Sequence, residues 1–144
     1  MALATVASTA LAADRRYENV RFGTTITYPD HVFTEPQPEP ANGDGQVWLA
    51  PNGAELRVYG GYNVLEQTPD DLVAGRKDDG VTVTYAKTGR DWCVVSGLDA
   101  GRIFYERHEF GAEALHSVVV SYGAGQKAVY DPLVGKIAAS LAGP

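Results

Sequence analysis

The segment "VTVTYAKTGRDWCVVSGLDAGRIFYERHEFGAEALHSVVVSY", residues 81–122, decides the fold of this chain. It holds four runs rich in β-branched and aromatic residues, several of which alternate with polar residues as strands with one buried face do. The stretches between the runs are short and contain glycine: "KTGR", "LDAG" and "GAEA". Short connections of this kind join antiparallel neighbours, so the segment predicts a β-meander.

The last hairpin of this meander has a predictable register. With "GAEA" as the loop, Phe110 pairs with Leu115 and Glu109 faces His116. His108 then lies opposite Ser117, on the other face of the sheet, because neighbouring residues of a strand point to opposite faces.

Two helices are predicted on either side of the meander. Residues 67–80, "QTPDDLVAGRKDDG", offer Thr68 as a cap, followed by a proline and two acidic residues. Residues 131–141, "DPLVGKIAASL", offer Asp131 as a cap and Pro132 at the first helical position, followed by an apolar face at helical spacing. Both starts combine a side chain that accepts backbone N–H groups with a proline whose missing donor is not needed there.

Further strands are predicted upstream. Residues 17–29, "YENVRFGTTITYP", read as a strand that ends at Pro29, and "QVWLA" and "AELRVYG" as a hairpin around residues 51–53. Residues 30–45 contain three prolines spaced by two, which favours an extended surface connector over a helix. A proline-recognising partner is the alternative for this connector.

The start of that hairpin has a spacing similar to part of a calcium loop. If Gly45 takes the sharp-turn position, Asn42 and Asp44 fall at positions three and five. Positions one and twelve are then Pro40 and Pro51, which supply neither of the carboxylates that such a loop needs. We therefore interpret the stretch as turn chemistry, and no metal is predicted.

Together these elements predict one α+β domain over residues 13–144. Its antiparallel sheet has about six or seven strands, with two or three helices packed beside it. The chain of 144 residues is of the right length for a single domain.

Residues 1–12 form a run of small and apolar residues that ends in Ala10-Leu11-Ala12. This pattern is typical of the last part of a secretory signal peptide, with cleavage after Ala12 and a mature protein in the periplasm or outside the cell. The basic residues that usually begin such a peptide are missing, and a disordered alanine-rich tail is the alternative.

Charge and hydropathy argue against nucleic-acid binding and against a membrane span. The formal net charge is −6 and the pI is about 4.9, so there is no excess of basic residues to neutralise nucleic-acid phosphates. No window approaches the roughly 20 apolar residues that span a bilayer. We expect neither nucleic-acid binding nor a membrane span.

The order of these signals resembles the PsbP/Mog1-like fold, which includes PsbP-like photosystem accessory proteins and DcrB-like envelope proteins. The similarity rests on "FGTTITYP", the capped helix after an early hairpin, "SGLDAGRIFYER" and "YDPLVGKIAASL", which together cover most of residues 17–141. The stretch "PANGDGQVWLAPNGAELRVYG" is similar to bacterial exported proteins. The resemblance implies an exported accessory or binding protein without known enzymatic chemistry. We expect no cofactor, an envelope protein or a glycan as partner, and a monomer or weak dimer.

Two groups of side chains are the candidates for a site. If Leu56 and Val58 point inward, Arg57 and Tyr59 point outward, and Trp48 is expected to join them from the neighbouring strand. Aromatic residues beside an arginine often anchor partners. The alternative is a small hydrolase or metal-binding protein.

That alternative would use a cluster of Arg107, Glu109 and His116 on one face of the sheet. The simplest interpretation of the Glu109–His116 pair is a cross-strand ion pair. Cys93, the only cysteine, lies in the middle of a predicted strand and is expected to be a buried, inert thiol. No catalytic residue is predicted with either group.

Overall fold

The structure is a computed structural model that describes residues 14–144. The predicted signal peptide, residues 1–12, and the expected first mature residue, Ala13, lie outside the described residues. The elements in chain order are β1 Arg15–Glu18, β2 Thr25–Tyr28, β3 Glu35–Pro36, β4 Gly45–Leu49, β5 Glu55–Tyr62, α1 Pro69–Asp78, β6 Thr82–Thr88, β7 Trp92–Asp99, β8 Arg102–Phe110, β9 Ala114–Gly123, a 3₁₀ turn Ala124–Gln126 and α2 Lys127–Ala139.

The predicted α+β architecture is confirmed. Over residues 14–144 there is an antiparallel sheet of seven strands in the order β3-β4-β5-β9-β8-β7-β6, a separate pair β1-β2 and two α-helices. Strands β6 to β9 form the predicted meander, and the register of β8 on β9 is the one expected from the "GAEA" loop. The two central strands, β5 and β9, are distant in sequence.

One face of the large sheet, which we call the core face, carries most of the hydrophobic core. Leu56, Val58, Val118 and Val120 point from it towards α2 and the β1-β2 pair. They belong to the larger of the two apolar clusters in the described part of the chain, and such burial stabilises the fold by roughly 25 cal/mol for each Å² removed from water. An isolated antiparallel β-bridge between Thr25 and Ala142 pairs β2 with the segment that follows α2.

Helix α1 begins as predicted. The Thr68 hydroxyl accepts a hydrogen bond from the Asp71 N–H at 3.2 Å, and the Asp71 carboxylate accepts one from the Thr68 N–H at 2.9 Å. This reciprocal capping box satisfies two backbone donors at the N-terminus of the helix.

The predicted start of α2 is wrong. The helix begins at Lys127, so Asp131 and Pro132 lie inside it. The side chain of Asp131 accepts a hydrogen bond from the Tyr122 hydroxyl at 2.6 Å instead of capping the helix. The preceding 3₁₀ turn leads into the helix, which starts five residues before the predicted first helical residue, Pro132. Tertiary contacts therefore override the local cap signal at this end.

Neither α-helix of residues 14–144 is long and apolar enough to cross a membrane.

Candidate functional site

The face of the sheet opposite the core face is only half covered, and we call it the open face. Helix α1 lies over β6 and β7 and leaves β4, β5 and β9 accessible. The result is a groove of about 890 Å³ between α1 and the turn at residues 40–44. Clefts of this size are typical of ligand sites, so the groove is the candidate functional site.

Arg57 and Tyr59 lie on the open face, as predicted, and both line the groove. The Arg57 guanidinium binds Glu55 Oε1 through Nη2 at 2.8 Å and through Nε at 3.1 Å. Tyr59 lies opposite Ser117 of β9, and burial raises the pKa of its hydroxyl. Tyr59 therefore stays a neutral hydrogen-bonding group at physiological pH.

Trp48 does not join them, which corrects the prediction for this residue. It pairs with Leu56 and therefore shares the core face, where it is buried. Its indole ring packs against Tyr28 at 4.6 Å and against Tyr17 at 5.2 Å between ring centroids. The physical reason is the hairpin turn: Ala50 bonds with Ala54 across residues 51–53, which places Trp48 opposite Leu56.

Four polar side chains form a network in the floor of the groove that consists of two hydrogen-bonded pairs side by side. Ser117 Oγ lies 2.7 Å from His108 Nδ1, and Arg76 Nε donates to Glu106 Oε1 at 2.7 Å. His108 Nε2 lies 3.5 Å from the same Glu106 oxygen, which is too long for a strong hydrogen bond. Ser117 is opposite His108 on neighbouring strands, whereas Arg76 reaches the network from α1.

The charge of Glu106 is stabilised by this network although the side chain is buried. Burial alone would raise its pKa, but the imidazole of His108 and the guanidinium of Arg76 outweigh that effect and hold the pKa below its usual range. The buried His108 Nε2 atom has no hydrogen-bond partner within residues 14–144. The network therefore retains one unsatisfied polar atom at its centre.

Arg102 closes the far end of the groove. Its Nε donates to the Ser121 hydroxyl at 3.1 Å, and its Nη2 donates to the Gly53 carbonyl at 3.0 Å. These bonds hold the guanidinium at that end of the groove.

The three residues of the alternative cluster share one face of the sheet, as predicted. It is the core face, and only two of the three bond to each other. Arg107 binds Glu109 Oε1 at 2.7 Å and stacks on Trp92 with its guanidinium carbon 4.5 Å from the ring centre. The fully buried His116 lies 2.7 Å from Thr24 Oγ1 through Nδ1 and 2.9 Å from the Pro144 carbonyl oxygen through Nε2. Both ring nitrogens of His116 already have partners, so among the described residues the predicted Glu109–His116 ion pair does not form and His116 does not join the Arg107–Glu109 pair.

Cys93 is fully buried, as expected. It lies among Val73, Val95 and Phe104, and burial raises the pKa of its thiol to about 12. A thiol that remains protonated at neutral pH is a poor nucleophile and a poor metal ligand.

Two features bear on metal binding: the grouping of possible ligands and the stretch similar to a calcium loop. No group of three or more His, Cys, Asp or Glu side chains in this part of the chain is arranged to hold a metal ion. In the stretch similar to a calcium loop, Asn42 Nδ2 donates to Asp44 Oδ2 at 3.0 Å, and the hairpin of β4 and β5 follows as predicted.

Glu106 and Arg76 were not predicted from the sequence, and no role was predicted for His108 or Ser117. One signal was available, since Glu106 and His108 alternate with Arg107 and must share a face of the strand. The contribution of Arg76 had no such signal, because it depends on how α1 docks on the sheet.

The geometry defines the class of the fold: it is a PsbP-like α+β fold. Among solved structures, the solution structure of cyanobacterial PsbP (CyanoP) from Synechocystis sp. PCC 6803 is similar to this chain, with a TM-score of 0.61 over 99% of each chain. The sequence identity is 13%, so the likeness concerns the fold. No protein-family model and no curated protein matches the sequence.

Proposed function

We propose that this protein is an exported, non-catalytic accessory or binding protein of the bacterial envelope, and that it receives a protein or glycan partner in the groove of the open face. The observation that carries the proposal is the groove itself, which has a volume of about 890 Å³ and is floored by β4, β5, β8 and β9. A site on a sheet needs little ordering when a partner binds, and this saves conformational entropy.

The chemistry of the groove supports a partner that is mainly uncharged and rich in hydrogen-bonding groups. Its guanidinium groups at Arg57 and Arg76 are already paired with carboxylates at 2.7–2.8 Å. The groove still offers the hydroxyl groups of Tyr59 and Ser121, together with the aromatic ring of Tyr59. Sugar hydroxyls and peptide groups can both use such a surface.

The test is affinity capture from the envelope fraction, together with a screen of neutral oligosaccharides. We expect Arg57→Ala combined with Tyr59→Ala to weaken binding of the captured partner about tenfold or more, or ~1.4 kcal/mol. Arg90→Ala is the matched control, because its side chain is 95% exposed in the turn between β6 and β7. Equal affinity of the double variant and the control would place the partner elsewhere on the molecule.

The proposed export rests on the alanine-rich leader and is tested separately. Mass spectrometry of protein from the native host is expected to find a mature chain that begins at Ala13 in the periplasmic or secreted fraction. An intact Met1 on protein from the cytosol would contradict export and leave the groove proposal standing.

One observation favours a second function, a small serine hydrolase. Ser117, His108 and Glu106 form a chain in which the imidazole could take the proton of the serine hydroxyl. Against this, Ser117 is only 1% exposed, and its strand neighbours use their backbone N–H groups in the sheet. Labelling of Ser117 by a fluorophosphonate probe, lost in Ser117→Ala, would support the hydrolase, and an unlabelled protein would contradict it.

A further inference from the structure

Helix α1 is held to the sheet by few side chains. Val73 is its one buried residue, and Leu72 is partly buried. Helix α2 contrasts with it, since it buries four residues: Tyr130, Val134, Ile137 and Ala138. The order of a short helix comes mostly from packing, so α1 is docked much more weakly than α2.

The capping of α1 does not depend on the sheet. Its capping box involves Thr68 and Asp71, and Arg76 binds Asp79 at the other end at 2.8 Å. All of these bonds stay within the segment of residues 68–79. The helix can therefore leave the sheet without losing the interactions that satisfy its ends.

A single polar side-chain contact ties α1 to the sheet in the described part of the chain. It is the bond from Arg76 to Glu106, and the same guanidinium packs over the Phe104 ring at 5.0 Å. Breaking this contact would leave the apolar packing around Val73 to hold the helix in place.

Under α1 lies a small apolar cluster that is separate from the main core. It contains Cys93, Val95 and Phe104, and Cys93 is the only cysteine of the chain. The rate at which a reagent reaches this buried thiol therefore measures how often the helix above it opens.

We propose that α1 opens away from the sheet as a unit while the seven-stranded sheet stays formed. The bond between Arg76 and Glu106, which we call the latch, holds the helix in the closed position. Opening exposes the apolar cluster and removes the wall that Leu72, Arg76 and Asp79 give to the groove. This inference does not depend on the partner proposed above, because Cys93 can be probed without any partner.

The experiment measures the rate at which iodoacetamide alkylates Cys93 in the native protein, at one fixed pH and over a range of low denaturant concentrations. For the wild type we expect a labelling rate that depends on denaturant much less steeply than global unfolding does, since the opening exposes little surface. Arg76→Ala is expected to raise that rate about tenfold, because a charged hydrogen bond is lost. Lys77→Ala, an exposed position on the same helix, is the control and is expected to leave the rate unchanged.

Two outcomes would overturn the proposal. Wild-type labelling with the same denaturant dependence as global unfolding would show that α1 never opens alone. Equal labelling rates for Arg76→Ala and Lys77→Ala would show that Arg76 is not the latch. If Arg76→Ala fails to fold, Arg76→Met takes its place, because it keeps the apolar stem and lacks the donor. An unchanged rate in that variant would equally contradict the latch.

Discussion

Two adjacent glycines of β5 differ sharply in the space around them. A methyl group on Gly60 would lie 2.6 Å from Phe22 Cβ and 2.7 Å from Thr24 Oγ1, whereas one on Gly61 would meet nothing within 4 Å. The turn that follows β1 thus packs directly on the backbone of β5. Thr24 is held there by its bond to His116.

We expect Gly60→Ala to lower the free energy of unfolding by about 1–3 kcal/mol, because the added methyl group forces Phe22 and Thr24 away from the sheet. Gly61→Ala is the matched control and is expected to stay within about 0.5 kcal/mol of the wild type. Urea denaturation of the two variants measures the difference. Equal stability would mean that the turn does not lie against β5.

At the scale of elements, α2 decides whether the core face is covered. Ile137 is 2% exposed and packs in the main core, whereas Lys136 points to solvent and makes a surface ion pair with Asp14 at 3.0 Å. Ile137→Ala is expected to cost about 2–5 kcal/mol through lost burial and a cavity. That is a large part of the roughly 5–15 kcal/mol that stabilises an ordinary domain.

Lys136→Ala is the control for this prediction, with an expected loss below about 1 kcal/mol, as for other exposed ion pairs. Chemical denaturation compares the two variants. If their midpoints coincide, α2 is not docked on the sheet.

The elements also show what sequence can predict here. The register of β8 on β9 could be predicted because the loop length and the alternation of residues agree. The side of the sheet taken by Trp48 could not, because it depends on the turn at residues 51–53 and not on the strand itself. The start of α2 was missed because Tyr122 binds Asp131, the residue that carries the local cap signal.

The groove was beyond prediction for a related reason. Its walls come from α1 and from residues 40–44, which approach each other only when the sheet is complete. The bond between Arg76 and Glu106 joins residues 30 positions apart and has no local pattern.

At the scale of the whole molecule, Glu106 makes the free energy of unfolding depend on pH in the acid range. The native pKa of this carboxyl is lower than its usual value of 4.5, so the unfolded chain takes up the proton first. The stabilisation is therefore fully present near neutral pH and is lost as the pH falls from about 4.5 through the native pKa.

We therefore expect Glu106→Gln to be less stable than the wild type at pH 7, and the difference to shrink towards pH 3. The free energy of unfolding of both proteins, measured by denaturation across this range, tests the prediction. Other carboxylates titrate in both proteins, so the difference isolates Glu106. A constant difference down to pH 3 would contradict the charged state assigned to it.

The pairing of β5 with β9 has a consequence for synthesis. This central pair joins residues 55–62 to residues 114–123, and the bridge from Thr25 to Ala142 joins the first layer of the fold to its last residues. A nascent chain can form its local hairpins early, but the sheet stays split until β9 has left the ribosome. Closing the long stretch of chain between β5 and β9 is also slower than forming a local hairpin. Until then β3–β5 and β6–β8 have no common neighbour, so closing the sheet through β9 is the late step of folding.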